Sequence, residues 1–256
     1  MRTTLYRCIH QPSKSWLELF DKRMQRAAKE MHQTLPPYEH VVQIGDPILR
    51  GKVEEIPLSE IKTPFINSIA DKLLHVLKKY DAVGVSAPQI GTPIAMFAVG
   101  FTKSQIKSWS TETVAKEGME PIDPPRVVIN PRIDIIDSSS STHREGCCSL
   151  YGFSAQVARY RKVLLKGYNI HGEAFEWLAT DWTARIIQHE MDHLSGKLFI
   201  DPPTSTQTLE FNYWQSVNNR KGNFKMSYSG VGASHKLFPF KNFFPTKLRL
   251  ALYIRS

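Results

Sequence analysis

Gln188-His189-Glu190-Met191-Asp192-His193-Leu194-Ser195-Gly196 is the stretch from which the rest of this chain can be read. At helical spacing, His189 and His193 lie one turn apart on one face, where two imidazoles reach a single divalent ion. Glu190 stands beside the first of them. A carboxylate in that place can take a proton from water at an open coordination position, so the stretch reads as a hydrolytic metal site. Asp181 is suited to cap the helix, Ile186 gives the metal-facing side an apolar wall, and Gly196 supplies a stop just past Leu194.

Two imidazoles leave a metal short of protein ligands. Arg144-Glu145-Gly146-Cys147-Cys148-Ser149-Leu150 offers a thiolate, with Gly146 allowing close backbone approach. Cys147 with His189 and His193 would leave a fourth position for water. Taken without the helix, the adjacent thiols read as an ordinary buried pair, and chemistry alone does not choose between them.

A third stretch, Ala82-Val83-Gly84-Val85-Ser86-Ala87-Pro88-Gln89, precedes these two. In order and separation the three resemble the peptide deformylases, whose motifs are GxGxAAxQ, EGCLS and QHExDHL. The resemblance spans about residues 40 to 205, and Trp182-Thr183-Ala184-Arg185-Ile186-Ile187 looks like the mitochondrial and plastid branch. It implies an α+β fold, with mainly antiparallel strands packed around a central helix that carries HExxH. It implies hydrolytic removal of the N-formyl group from the methionine of new polypeptides, releasing formate. The cofactor implied is one divalent ion, iron(II), zinc or cobalt(II), on Cys147, His189 and His193, with Glu190 as the proton-transferring base. By the same match, the Gln89 side-chain amide and the Cys148 backbone N–H donate to the developing oxyanion. Val83, Trp182 and Ile186 match the positions that surround the methionine thioether, Gly84 is expected along the peptide, and Arg144 and Gly146, flanking the second motif, are expected either to contact the peptide backbone or to serve as scaffold. Two positions depart from the family: Ala82 replaces its first glycine and Cys148 its leucine. The second leaves the required backbone N–H in place.

Composition fits this reading. The chain of 256 residues has three cysteines, two of them adjacent, which gives no disulfide framework and suggests a reducing compartment. No apolar stretch approaches the roughly 20 residues of a membrane span. The net charge of +9 is unevenly placed. Residues 1–38 hold seven Lys or Arg against three acids, residues 220–256 eight against none, and the segment between them 18 against 21. Three regions are therefore expected: a basic extension over 1–38, a catalytic domain over 39–205, and a basic aromatic extension over 206–256.

In the first extension Ser15-Trp16-Leu17-Glu18 is a capping-box pattern, and Trp16, Phe20, Met24, Ala27, Ala28 and Met31 share a helical face. This is expected to be a mitochondrial presequence, although Glu18, Asp21 and Glu30 are unusual in one; the alternative is a helix packed on the domain, in a cytoplasmic protein. Pro36-Pro37 marks the break. The tail, with Phe224, Tyr228, Phe238, Phe240, Phe243, Phe244 and Tyr253 among its basic residues, reads as a lineage-specific extension, or as a docking element for the ribosome or a membrane surface.

Within the domain, a helix is expected over Thr63 to Tyr80, strands over Ile94 to Val99 and Val127 to Asn130, and a hairpin around Gly172 within Val163 to Trp177. The serine run at 138–141 is expected to be a solvated loop. Two rival functions stand beside the deformylase. One is a zinc endopeptidase, with Asp201 or Glu210 as its downstream ligand. The other is a noncatalytic homologue that binds RNA or the ribosome through its tail.

Overall fold

The computed structural model describes residue 22, residues 35–201 and residues 206–226. The expected presequence helix and most of the tail aromatics lie outside the described residues. Helix α1 (Pro64–Lys79) forms as its sequence dictates. The Thr63 hydroxyl caps it, Pro64 occupies the first turn, and Lys78 and Lys79 stand at the negative end of its dipole. Its inner face buries Ile66, Ile69, Leu73, Val76 and Leu77.

The strands are β1 (Gly84–Ser86), β2 (Met96–Phe101), β3 (Ile122–Cys147), β4 (Leu150–Tyr168), β5 (Ala174–Thr180) and β6 (Glu210–Phe211). They form one antiparallel sheet in the order β1-β2-β3-β4-β5, with β6 paired to β4. Two short helices, α2 (Lys103–Ile106) and α3 (Thr111–Glu117), interrupt the path from β2 to β3. Helix α4 (Asp181–Leu194) follows β5, and α5 (Trp214–Asn219) follows β6.

The expected α+β class, with antiparallel strands around a central helix, is what the chain adopts. Two apolar clusters make up most of the core, and the second of them seats that helix. In one, α1 packs on β1, β2 and the turn at Ala87–Ile90. In the other, Trp182, Ala184, Ile186, Ile187 and Leu194 of α4 meet Phe97, Val99, Val128, Val163 and Leu165 of the sheet. Every residue from Trp182 to Glu190 is buried.

Several local expectations need correction. Ser138–Ser141 is not a loop: it lies within β3, where Ser140 pairs with Tyr160 and Ser141 with Arg159. Its serines are mostly exposed, so the composition records solvation of the side chains while the backbone is paired. The strand expected over Val127 to Asn130 extends to 26 residues, interrupted by register shifts that break any simple alternation. The strand at Ile94 begins two residues later, since Ile94 bridges to Glu54 instead. Asp181 is the first residue of α4 and Thr180 its cap; the Asp181 carboxylate pairs with Arg161. Gly196 ends the helix as expected, at φ +68°.

Residues 206–226 pack on the domain. Phe211 pairs with Phe153, Tyr213 stacks on Phe224, and Arg144 binds Asn212 and Glu210. No helix among the described residues is long and apolar enough to cross a membrane.

Candidate metal centre

Two rows of side chains face each other across the domain. Along the end of β3, alternation puts His143, Glu145 and Cys147 on one side. Along α4, Arg185, His189 and His193 recur every four residues on one face. A two-residue step in a strand is about 6.8 Å and a four-residue step in a helix about 6.0 Å, so the rows stay nearly level over three positions. The Cys147 Sγ is 3.2 Å from the His193 Nε2, and a Glu145 oxygen is 3.0 Å from the His189 Nδ1. At the third level Glu117, from α3, bridges the rows, with one oxygen 2.6 Å from Arg185 and 2.9 Å from His143.

Among the described residues, Cys147, His189 and His193 form the one group whose sulfur and nitrogen atoms suit a metal ion, all within 4.8 Å of one another and all buried. Their environment fits that use. Glu145 accepts from the His189 Nδ1, which leaves Nε2 as the ring's lone pair. Burial alone would raise the Glu145 carboxyl, but Arg159, bound through two nitrogens at 2.8 Å, outweighs burial and holds it well below the usual carboxylate range. Arg159 also binds Asp192 on α4.

The adjacent thiols are told apart by position. Cys147 ends β3 and turns inward, whereas Cys148 and Ser149 form the two-residue turn to Leu150. The register shifts between Gly146 and Cys147. Burial, then the neighbouring Cys147 and Glu190, push the Cys148 thiol up, so it stays protonated. Its sulfur is not in the cluster.

Glu190 is 3% exposed, and its Oε2 has no hydrogen-bond partner. Burial pushes its carboxyl up to about 7. Gly84 is what lets it lie there: a Cβ at position 84 would fall 2.2 Å from the Glu190 Oε1. Gln89 closes the other side. Its Oε1 accepts from the Ser86 N–H at 2.9 Å, which orients its Nε2 toward the Cys147 sulfur at 3.4 Å and the Ser149 hydroxyl at 3.2 Å.

The other expected site residues separate into two groups. Val83, Trp182 and Ile186 share one apolar cluster and are interior walls, 9%, 2% and 0% exposed. Trp182 is further enclosed by Phe101, Trp109 and the Arg185 guanidinium. Arg144 is engaged on the far side of β3 with Ser154, Asn212 and Glu210, as a tether for the C-terminal segment. Neither carboxylate proposed for a protease-like third ligand is near the metal group. Asp201 binds Arg50 and the Leu198 N–H, and Glu210 binds Arg144 and Trp214.

Sequence reasoning gave no role to Glu145, Arg159 or Glu117. Glu145 had a usable signal, standing two residues before Cys147 and so on the same face of a strand. Arg159 and Glu117 had none, since only the pairing of β3 with β4 and the packing of α3 bring them in.

Comparison with known proteins agrees with this geometry. The polypeptide deformylase family model matches residues 38–208. The human mitochondrial peptide deformylase is 40% identical over 184 residues, covering 72% of this chain and 75% of that one. The Arabidopsis thaliana peptide deformylase 1A, chloroplastic/mitochondrial, is 36% identical over 172 residues, covering 66% and 64%. Among solved structures, a class I type b peptide deformylase from Acinetobacter baumannii with Met-Ala-Ser bound superposes with a TM-score of 0.55 at 26% identity, over 62% of this chain and 94% of that one. With the family model spanning well over half of its length and the three motifs converging on one buried centre, the chain belongs to the peptide deformylase family.

Proposed function

We propose that this deformylase divides its reaction among the residues of the buried centre as follows. The substrate is a formylmethionyl nascent peptide, and the products are formate and a free N-terminal amine. The observation that carries the assignment is Glu190: buried, with one oxygen unpartnered, and with a proton affinity matched to neutral pH. Cys147, His189 and His193 would hold a divalent ion, which when bound would supply the Lewis acidity that makes water nucleophilic near neutral pH. Glu190 accepts the proton as the water oxygen attacks the formyl carbon. It then passes that proton to the amide nitrogen as the C–N bond breaks and its electron pair goes to nitrogen.

The negative charge on the formyl oxygen is met by the Gln89 amide and the Cys148 N–H, donors of a kind worth about 3 kcal/mol each. Val83, Trp182 and Ile186 form the apolar wall that selects methionine, and Gly84 and Gly146 lie along the peptide path, while Arg144, held by Ser154, Asn212 and Glu210, supports the strand behind it. One thiolate and two imidazoles suit iron(II), zinc and cobalt(II) alike. The likeness to mitochondrial and plastid relatives supports a mitochondrial site of action, with residues 1–38 as the targeting segment. The basic C-terminal extension is assigned to docking near the ribosome.

Glu190→Gln tests the assignment. It is expected to keep metal content at the wild-type level while lowering formate release from a formyl-Met-Ala-Ser peptide by at least about 100-fold. Wild-type turnover in that variant would remove Glu190 from the mechanism.

A further inference from the structure

Residues 42–44 run outside the centre as a short strap, leading into a turn at Ile44, that touches both of its loops. The Val42 N–H donates to the Gln89 carbonyl at 2.8 Å, and the Ile44 N–H to the Ser149 carbonyl at 2.7 Å. Between them the Gln43 side chain donates through Nε2 to the Cys148 carbonyl at 2.8 Å, with a longer 3.4 Å contact to the Val41 carbonyl.

The peptide group held by Gln43 has a second connection. Its oxygen belongs to Cys148 and its N–H to Ser149, and that N–H donates to the Cys147 Sγ at 3.4 Å. The Gln43 amide, the 148–149 peptide and the Cys147 sulfur thus form one chain of hydrogen bonds. Within a protein interior such bonds polarise one another: a donor on the carbonyl oxygen strengthens the N–H at the other end of the same peptide. The linked peptide lies in the two-residue turn between β3 and β4, with no sheet partner of its own to fix its plane.

We propose that Gln43 is a positioning residue for the Cys147 sulfur. It fixes the plane of the 148–149 peptide and, through that peptide, the orientation and electron donation of the thiolate, without touching a reacting atom. The inference rests on the reading of Cys147 as a metal ligand. Partners one bond removed from a ligand typically change metal affinity by 10- to 100-fold when lost.

The test is Gln43→Met in the full-length protein, which keeps side-chain length, removes the donor and leaves the Val42 and Ile44 backbone bonds in place. Cobalt(II) is the probe. The expected result is a fall of about ten-fold in cobalt affinity by chelator competition. It comes with a shifted or weakened thiolate-to-cobalt charge-transfer band, while the melting temperature of the metal-free protein stays within about 2 °C of wild type. Gln43→His, which restores a ring N–H donor, is expected to recover both affinity and band. An unchanged affinity and band in Gln43→Met overturns the proposal. So does a loss that follows the metal-free melting temperature and is not recovered by Gln43→His, since that would make the strap merely structural. Cys147→Ser, run alongside, separates the two levels: if it keeps the charge-transfer band, the ligand assignment itself fails.

Discussion

Cys147 and Cys148 are neighbours with opposite surroundings, and the difference is one of strand against turn. Cys147 completes the inward row of β3 beside His193, while Cys148 sits in the turn with its thiol held protonated by burial and by the charges next to it. Cys147→Ser is therefore expected to lose the soft ligand and most of the bound metal, measured by elemental analysis after anaerobic purification. Cys148→Leu is expected to retain metal and to turn over substrate within about two-fold of wild type, because the role proposed for residue 148 needs only its backbone N–H. Loss of metal in Cys148→Leu instead would mean that the other thiol is the ligand. Glu145 allows a second measurement at this scale. Its folded carboxyl lies below the ordinary value of about 4.3, so its contribution to stability is complete above that value and is lost progressively as pH falls from there toward the lower folded value. In metal-free protein, the urea midpoint of the wild type is expected to fall below about pH 5 more steeply than that of Glu145→Gln.

At the scale of elements, α3 holds the beginning of α4. Glu117 is 2% exposed and Arg185 1%, and they meet at 2.6 Å. Removing one partner of such a pair leaves a buried charge uncompensated, so Glu117→Leu is expected to lower folding stability by about 3–5 kcal/mol in urea titrations. Replacing both residues, with Glu117→Leu and Arg185→Met, is expected to recover much of that loss. A double variant no more stable than the single would show that the pair's surroundings, not its charges, set the cost. This contact also marks the limit of what the sequence discloses. Helix α1 was legible because Thr63, Pro64 and the Ile69, Leu73 and Val76 spacing all act locally. The metal-facing side of α4 was legible because His189 and His193 share one helical period. The full length of β3 was not, because its exposed serines and bulges carry no alternation, and its pairing is fixed by β4, up to several tens of residues away. Arg159 and Glu117 were illegible for the same reason: their partners come from other elements.

For the whole molecule, the division at residue 205 is testable by truncation. Residues 210–226 contribute β6, the partners of Arg144, and the Tyr213–Phe224 stack. A fragment of residues 35–226 is expected to fold and deformylate small peptides at about the rate of the full chain. A fragment ending at 205 is expected to melt several degrees lower, by differential scanning calorimetry. A reporter fused to the full chain is expected in mitochondria and one fused to residues 39–256 in the cytosol; mitochondrial import of the shorter fusion would return residues 1–38 to the fold. Three contacts of the centre join distant parts of the chain: 44 residues separate Glu145 from His189, 46 separate Cys147 from His193, and 105 separate Gln43 from Cys148. During synthesis, then, the strap and the β3–β4 hairpin emerge first and wait for α4. An unfinished chain presents Cys147 without His189 and His193, and the proposed centre is incomplete until the helix docks. The ordering of the motifs makes activity a late event in the life of each molecule, and loading with metal a report that the domain has been completed.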